Sequence, residues 1–245
     1  GTGFSIMLIA PSWGGMLNGL LTLRGAWDKV RENPILKFFV VALTCYGMAT
    51  FEGPLLATKT LNKIGHFTDW VPAHVHVGTL GWNGFIAFGM IYYLVPKLFN
   101  TKLASVKMAN AHFWIATFGI LFWVIPMYVA GWTQGLMWKQ FAADGTLEYG
   151  NFLQTVTILK QWLYPLRAFG GILYLIGTFM MIVNVYQTAK SGKFVANEEA
   201  EAPALAPKKS GRTEGEGVHS WIERTPVIFT VLSFVVLAIG GLVEI

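Results

Sequence analysis

His74 and His76, separated by one valine within a long apolar run, are the residues of this sequence best suited to do chemistry. An imidazole inside a membrane-spanning helix is costly to leave without a partner, so ionisable residues at that depth mark functional sites by default. At about 100° per residue, positions i and i+2 point roughly 200° apart, to nearly opposite faces of a helix. The pair therefore cannot grip one metal ion together, a task for which helices use i and i+4. An H-x-H helix instead suits a wall between two cofactors, each taking one axial imidazole.

The composition requires a membrane to hold such a helix. Of 245 residues, 54% are hydrophobic and 13% charged, with ten Trp, eighteen Phe and a mean hydropathy of +0.51. These values describe a polytopic membrane protein, not a soluble domain. A single cysteine, Cys45, excludes an internal disulfide and any CxxC redox or metal site. The net charge of +5 fits basic cytoplasmic loops. Nucleic acid is excluded as a partner because no basic cluster interleaves with aromatic residues.

About twenty apolar residues cross a hydrocarbon core roughly 30 Å thick. Six such spans are predicted: Phe4 to Leu23, kinked near Pro11 and Gly14-Gly15; Ile35 to Thr58; Val71 to Val95; Ala109 to Trp132 or slightly beyond; Trp162 to Tyr186; and Pro226 to the end. All should be helices, since backbone polar groups in lipid must be satisfied within the segment. The fold class is thus an all-α, multi-pass membrane bundle. Basic residues concentrate after spans one, three and five, which makes those loops cytoplasmic; Trp70, Trp138 and Trp162 then mark the outer interface. Residues 191–220, with Glu198-Glu199, two prolines and a Gly/Arg/Glu run, are too polar to fold alone and are predicted to be a flexible cytoplasmic linker. The last span then belongs to a separate module, residues 221–245.

With this orientation His74 and His76 lie roughly 6 to 9 Å below Trp70 at about 1.5 Å per residue, near the outer end of span three. Glu52 lies at the same depth near the outer end of span two, across a hairpin. It is the expected acceptor for the outer ring N–H of one histidine, fixing the tautomer and raising ligand basicity. A lone Glu–His hydrogen bond could equally satisfy two buried groups and bind nothing. That reading leaves the imidazole on the far face unexplained.

Several motifs surround this pair in order: Asn18 to Trp27 (NGLLTLRGAW), Phe51-Glu52-Gly53-Pro54, His66-Phe67-Thr68-Asp69-Trp70, His74 to Trp82 (HVHVGTLGW) and Val129 to Trp138 (VAGWTQGLMW). Together they resemble the catalytic subunit of C-type, or cytochrome cbb3-type, haem–copper oxidases. Similarity covers residues 1 to about 190, the last five of that subunit's twelve helices. The resemblance implies that His74 is the axial ligand of a high-spin haem b, where oxygen is reduced to water, and that His76 is one ligand of a low-spin haem b. It implies that Glu52 bonds His74 and that His66 and Asp69 lie near haem propionates. Arg167 is a further propionate partner or a residue snorkelling to the interface. Asn18 and Tyr46 match the family's cytoplasmic proton path, with Thr44 as a polar neighbour. Cross-helix hydrogen bonding is the plainer role for such residues, and the preferred one for Thr44. His112 is expected to be interfacial or packed, and His219 solvated.

The family's copper histidines, cross-linked tyrosine and second low-spin haem ligand would lie upstream of Gly1, which stands where an initiator Met is expected. The chain therefore reads as a fragment cut at both ends and inactive alone. The last span, with His219 to Arg224 before it, resembles the membrane anchor of the family's monohaem cytochrome c subunit, as in a fused oxidase polypeptide. Implied partners are the upstream helices, the monohaem and dihaem cytochrome c subunits and oxygen. The implied location is a bacterial inner membrane, and the implied activity is cytochrome c oxidation coupled to proton translocation. The alternatives are a nitric oxide reductase-like haem protein and a non-enzymatic proton or ion transporter.

Overall fold

The computed structural model describes residues 1–195 together with Val235. Among the described residues the architecture is all-α, with one isolated antiparallel bridge between Phe141 and Leu147. The linker beyond residue 195 and the sixth predicted span lie outside the described residues.

The first rod consists of α1 (Thr2–Met7) and α2 (Ile9–Leu21). They part at Leu8, whereas Gly14 and Gly15 stay helical. Pro11 has no N–H to offer the Met7 carbonyl, so the helix opens one turn before the ring, and not at the glycine pair. A short helix, α3 (Trp27–Glu32), leads to α4 (Pro34–Leu56). Asn33 caps α4 by accepting from the Ile35 N–H at 2.9 Å, with Pro34 in the first turn. The corner helix α5 (Lys59–Gly65) follows.

The predicted third span is a continuous helical rod, but it is not uniform. It comprises α6 (Trp70–His76), a π-helical segment (Val77–Gly84) and α7 (Phe85–Leu98). π-Helical segments are rare and frequently lie at functional sites. Here the Leu80 carbonyl accepts from the Tyr174 hydroxyl at 3.0 Å, and the Asn83 amide reaches the Gly78 carbonyl at 3.3 Å. Gly84 makes the first of these contacts possible, since a Cβ there would collide with the tyrosine oxygen.

The long helix α8 (Val106–Met137) is capped by Ser105, which accepts from the Met108 N–H at 3.1 Å. It overruns its predicted span at both ends. After α9 (Phe152–Lys160), α10 (Leu163–Ser191) returns along α8. The two helices touch through glycines: a Cβ at Gly119 would lie 2.7 Å from the Tyr174 nitrogen, and one at Gly170 2.5 Å from the Trp123 nitrogen. Such small residues let backbones approach where lipid offers no hydrophobic drive to association. The core lies between α4, α7, α8 and α10, where Phe38, Phe85, Tyr92 and Phe113 are buried.

Among the described residues, four helical stretches are long and apolar enough to cross a membrane: Thr2–Leu21, Pro34–Leu56, Val106–Met137 and Leu163–Ser191. The π segment divides the remaining rod into pieces of 7, 8 and 14 residues, none able to span alone. Joined end to end they run roughly 40 Å at about 1.5 Å per residue, enough for a full crossing.

Candidate haem-ligand site

Two neighbouring helices receive the two histidines. The His74 ring turns toward α4, where Nδ1 lies 3.4 Å from Glu52 Oε2 and both side chains are half-buried. The His76 ring turns toward α8 and stacks on Trp123, with centroids 3.7 Å apart and planes inclined by 23°. Its Nδ1 sits 2.8 Å from the Pro72 carbonyl oxygen. The i, i+2 spacing thus separates the rings as the helical period requires.

Each Nδ1 faces an acceptor, which places the proton there in the neutral imidazole. Among the described residues, no hydrogen bond reaches Nε2 of either ring, so each retains an open lone pair. An imidazole held through one nitrogen and free at the other is how histidine is prepared to ligate a metal. No group of three or more His, Cys, Asp or Glu able to hold a bare ion occurs among the described residues. Two single imidazoles on separate faces, each held at Nδ1, fit a cofactor that needs one protein nitrogen per iron, as haem does.

Glu52 is fixed by more than His74. The Trp70 indole N–H donates to its Oε1 at 3.3 Å, and the Tyr128 hydroxyl donates to its Oε2. The sequence placed Trp70 in an aromatic belt, whereas the structure makes it a partner of the site. Gly131 on α8 allows this approach, because any Cβ there would collide with the Trp70 backbone.

The predicted propionate residues divide into two environments. His66 is exposed and its ring meets Phe67, which adopts a φ of 63°, edge-on at 4.0 Å. Asp69 turns inward and accepts from the Gln134 amide at 2.8 Å and the Tyr164 hydroxyl at 2.7 Å; Gln134 also accepts from the Asp69 backbone at 2.8 Å. The Arg167 guanidinium stacks over the Tyr164 ring at 4.7 Å and points Nη1 toward Met127 sulfur. Tyr164 therefore joins Asp69 and Arg167 in one polar cluster.

The predicted proton-path residues lie on α2 and α4, with the Tyr46 ring and hydroxyl facing Gly15 of α2. Tyr46 packs on Trp82 of the π segment, with ring centroids 4.3 Å apart, whereas Glu52 leaves α4 toward α6 and α8. Asn18 is exposed on α2. The Thr44 hydroxyl bonds the Val40 carbonyl of its own helix at 2.9 Å, and does not cross to a neighbour as expected. His112 is fully buried, with Nδ1 3.0 Å from the Tyr92 hydroxyl; it is packed, not interfacial.

Sequence reasoning did not single out Trp123, Tyr128, Gln134 or Tyr164 as site residues. One signal was available for part of the set. Trp123, Met127, Ala130 and Gln134 recur at helical spacing, and a glutamine among small and apolar residues marks a buried contact.

Fold and site together define a multi-pass helical membrane protein carrying two imidazoles on separate faces of one rod. Residues 1–195 match the family described as Cytochrome C and Quinol oxidase polypeptide I, and the chain belongs to that family, subunit I of the haem–copper oxidases. It is 50% identical over 194 residues to "Cytochrome c oxidase subunit 1 homolog, bacteroid" of Bradyrhizobium diazoefficiens, covering 79% of this chain and 35% of that protein. It is 45% identical over 190 residues to "Cbb3-type cytochrome c oxidase subunit CcoN1" of Stutzerimonas stutzeri, covering 77% and 40%. The chain thus spans little more than a third of the length of these relatives. A solved haem–copper terminal oxidase dimer shares the fold, with a TM-score of 0.54 at 21% identity over 82% of this chain and 34% of that one.

Proposed function

We propose that this chain provides the ligand-bearing helices of a C-type terminal oxidase in a bacterial inner membrane. His74 would hold the iron of a high-spin haem b through Nε2, and His76 would be one of the protein ligands of a low-spin haem b. When bound, the haem–copper pair supplies the chemistry of reducing oxygen to water with electrons from cytochrome c. Copper would be held by parts of subunit I that this chain does not span. Monohaem and dihaem cytochrome c subunits are the electron-delivering partners, and residues 191–220 link subunit I to a fused anchor over residues 221–245.

The protein's part is to hold and orient. Glu52 accepts from His74 Nδ1, keeping Nε2 unprotonated and raising its basicity. The Pro72 carbonyl does the same for His76, while Trp123 fixes the ring plane. Asp69, Tyr164 and Arg167, with His66 on the adjoining loop, form a polar rim suited to propionates. Tyr46, whose ring packs on Trp82 of the histidine rod and whose hydroxyl faces Gly15 of α2, is the proton relay we assign to translocation, with Asn18 and Thr44 on the inward side.

The observation that carries this reading is the pair of rings held at Nδ1 and left open at Nε2 on separate faces. In the complete oxidase, His76→Leu is expected to remove the low-spin haem b signal and retain the high-spin one. Full retention of the low-spin optical bands would exclude His76 as a ligand.

A further inference from the structure

Glu52 is held at both carboxylate oxygens by donors from two other elements. Trp70 of α6 takes Oε1, and Tyr128 of α8 takes Oε2, the same oxygen that faces His74 Nδ1. Neither Tyr128 nor Trp70 contacts His74 through a hydrogen bond of its own, so any influence passes through the carboxylate. We infer that Tyr128 is a positioning residue of the high-spin site: its donation to Oε2 sets how strongly Glu52 accepts from His74. This rests on the reading of His74 as a haem ligand.

The physical argument is competition for one acceptor. Two donors on the same oxygen draw on the same negative charge, so each weakens the other. With Tyr128 bonded, the pull of Glu52 on the His74 proton is moderated and the imidazole stays nearer neutral. With that bond removed, Glu52 accepts more strongly and the ring gains imidazolate character. A more electron-rich axial nitrogen stabilises the oxidised iron. The placement of the tyrosine is fixed by α8 itself. Tyr128 and Gly131 stand at i and i+3, and Gly131 is where the Trp70 backbone presses against the helix. The two donors to Glu52 are therefore set by one helix–helix contact.

The test uses the full-length oxidase with its partner subunits and two substitutions of opposite sign. Tyr128→Phe removes the donor; site-specific 3-fluorotyrosine at 128 keeps ring and packing but donates more strongly. Resonance Raman of the reduced high-spin haem and a potentiometric titration supply the readouts. The phenylalanine variant is expected to raise the iron–histidine stretching frequency and lower the midpoint potential, and the fluorotyrosine variant to do the reverse. Shifts of the same sign in both, or none in either, overturn the role of Tyr128. If the phenylalanine variant does not assemble, the fluorotyrosine variant decides alone. Glu52→Gln separates the two levels of argument. If it shifts the stretch while both Tyr128 variants leave it unmoved, only the tyrosine inference fails. If His74→Leu retains the iron–histidine band, the ligand reading itself fails.

Discussion

Two regions of this bundle hold an imidazole in nearly the same way, yet they differ in how far the ring is enclosed. On the histidine rod, His74 and His76 each give Nδ1 to an acceptor and keep Nε2 free. At the other end of that rod, His112 is bonded through Nδ1 to Tyr92, and its Nε2 is the one buried side-chain polar atom without a partner among the described residues. The difference is access. His112 is walled in by Phe38 and Phe88, at centroid distances of 4.9 and 4.7 Å, and lies directly against Gly177. His74 and His76 remain partly uncovered by the helices present. A free nitrogen makes a ligand only where space remains for what it binds. Sealed by phenyl rings, the same residue becomes architecture.

The strongest way to break that comparison is to exchange the roles by mutation. In the complete oxidase, His74→Leu is expected to abolish the high-spin haem b, whereas His112→Leu should leave both haems at their normal stoichiometry. Haem extraction with optical difference spectra measures both. Loss of a haem from the His112 variant at normal assembly would erase the distinction.

A smaller effect is expected where the open site is braced. Gly131→Val forces a side chain into the Trp70 backbone, and overpacking of this kind costs about 1 to 3 kcal/mol or more. Trp70 and its bond to Glu52 should shift together. Thermal bleaching of the high-spin haem is expected to occur at lower temperature, with the low-spin bands less affected. Equal loss of both would show a bundle-wide defect, not a local brace.

The sequence revealed the open site better than the closed one, for physical reasons. Glu52 and His74 could be paired because helical rise and a short hairpin put them at one depth, and the hydrogen bond is present. The π segment could not be foreseen. Its apolar pattern fits an ordinary helix, and one of its widened carbonyls is met by Tyr174, 94 residues away. Trp70 looked like an interface anchor because an indole N–H at a membrane edge usually seeks water or headgroups. Only the approach of α4 gives it a carboxylate. Tyr128 was hidden for a related reason: within the apolar run of α8, nothing local separates an aromatic that faces lipid from one that faces Glu52.

The closed region offers the finest test, because its hydrogen bond can be removed from either side. Tyr92→Phe leaves both nitrogens of His112 buried without partners, a loss of about 1 to 3 kcal/mol. His112→Leu removes the buried polar ring and leaves one stranded atom, the Tyr92 hydroxyl, where Tyr92→Phe leaves two, so its cost should be the lesser. Removing both partners together leaves an apolar interior of similar volume, and such paired replacements are often nearly neutral. The double variant is therefore expected to be more stable than the sum of the single losses allows, by a coupling of about 1 kcal/mol in a thermal or denaturant cycle. Haem spectra should stay unchanged throughout. Strict additivity would mean that the Tyr92–His112 bond contributes nothing to the seal, and that the phenyl rings alone keep this imidazole from acting as a ligand.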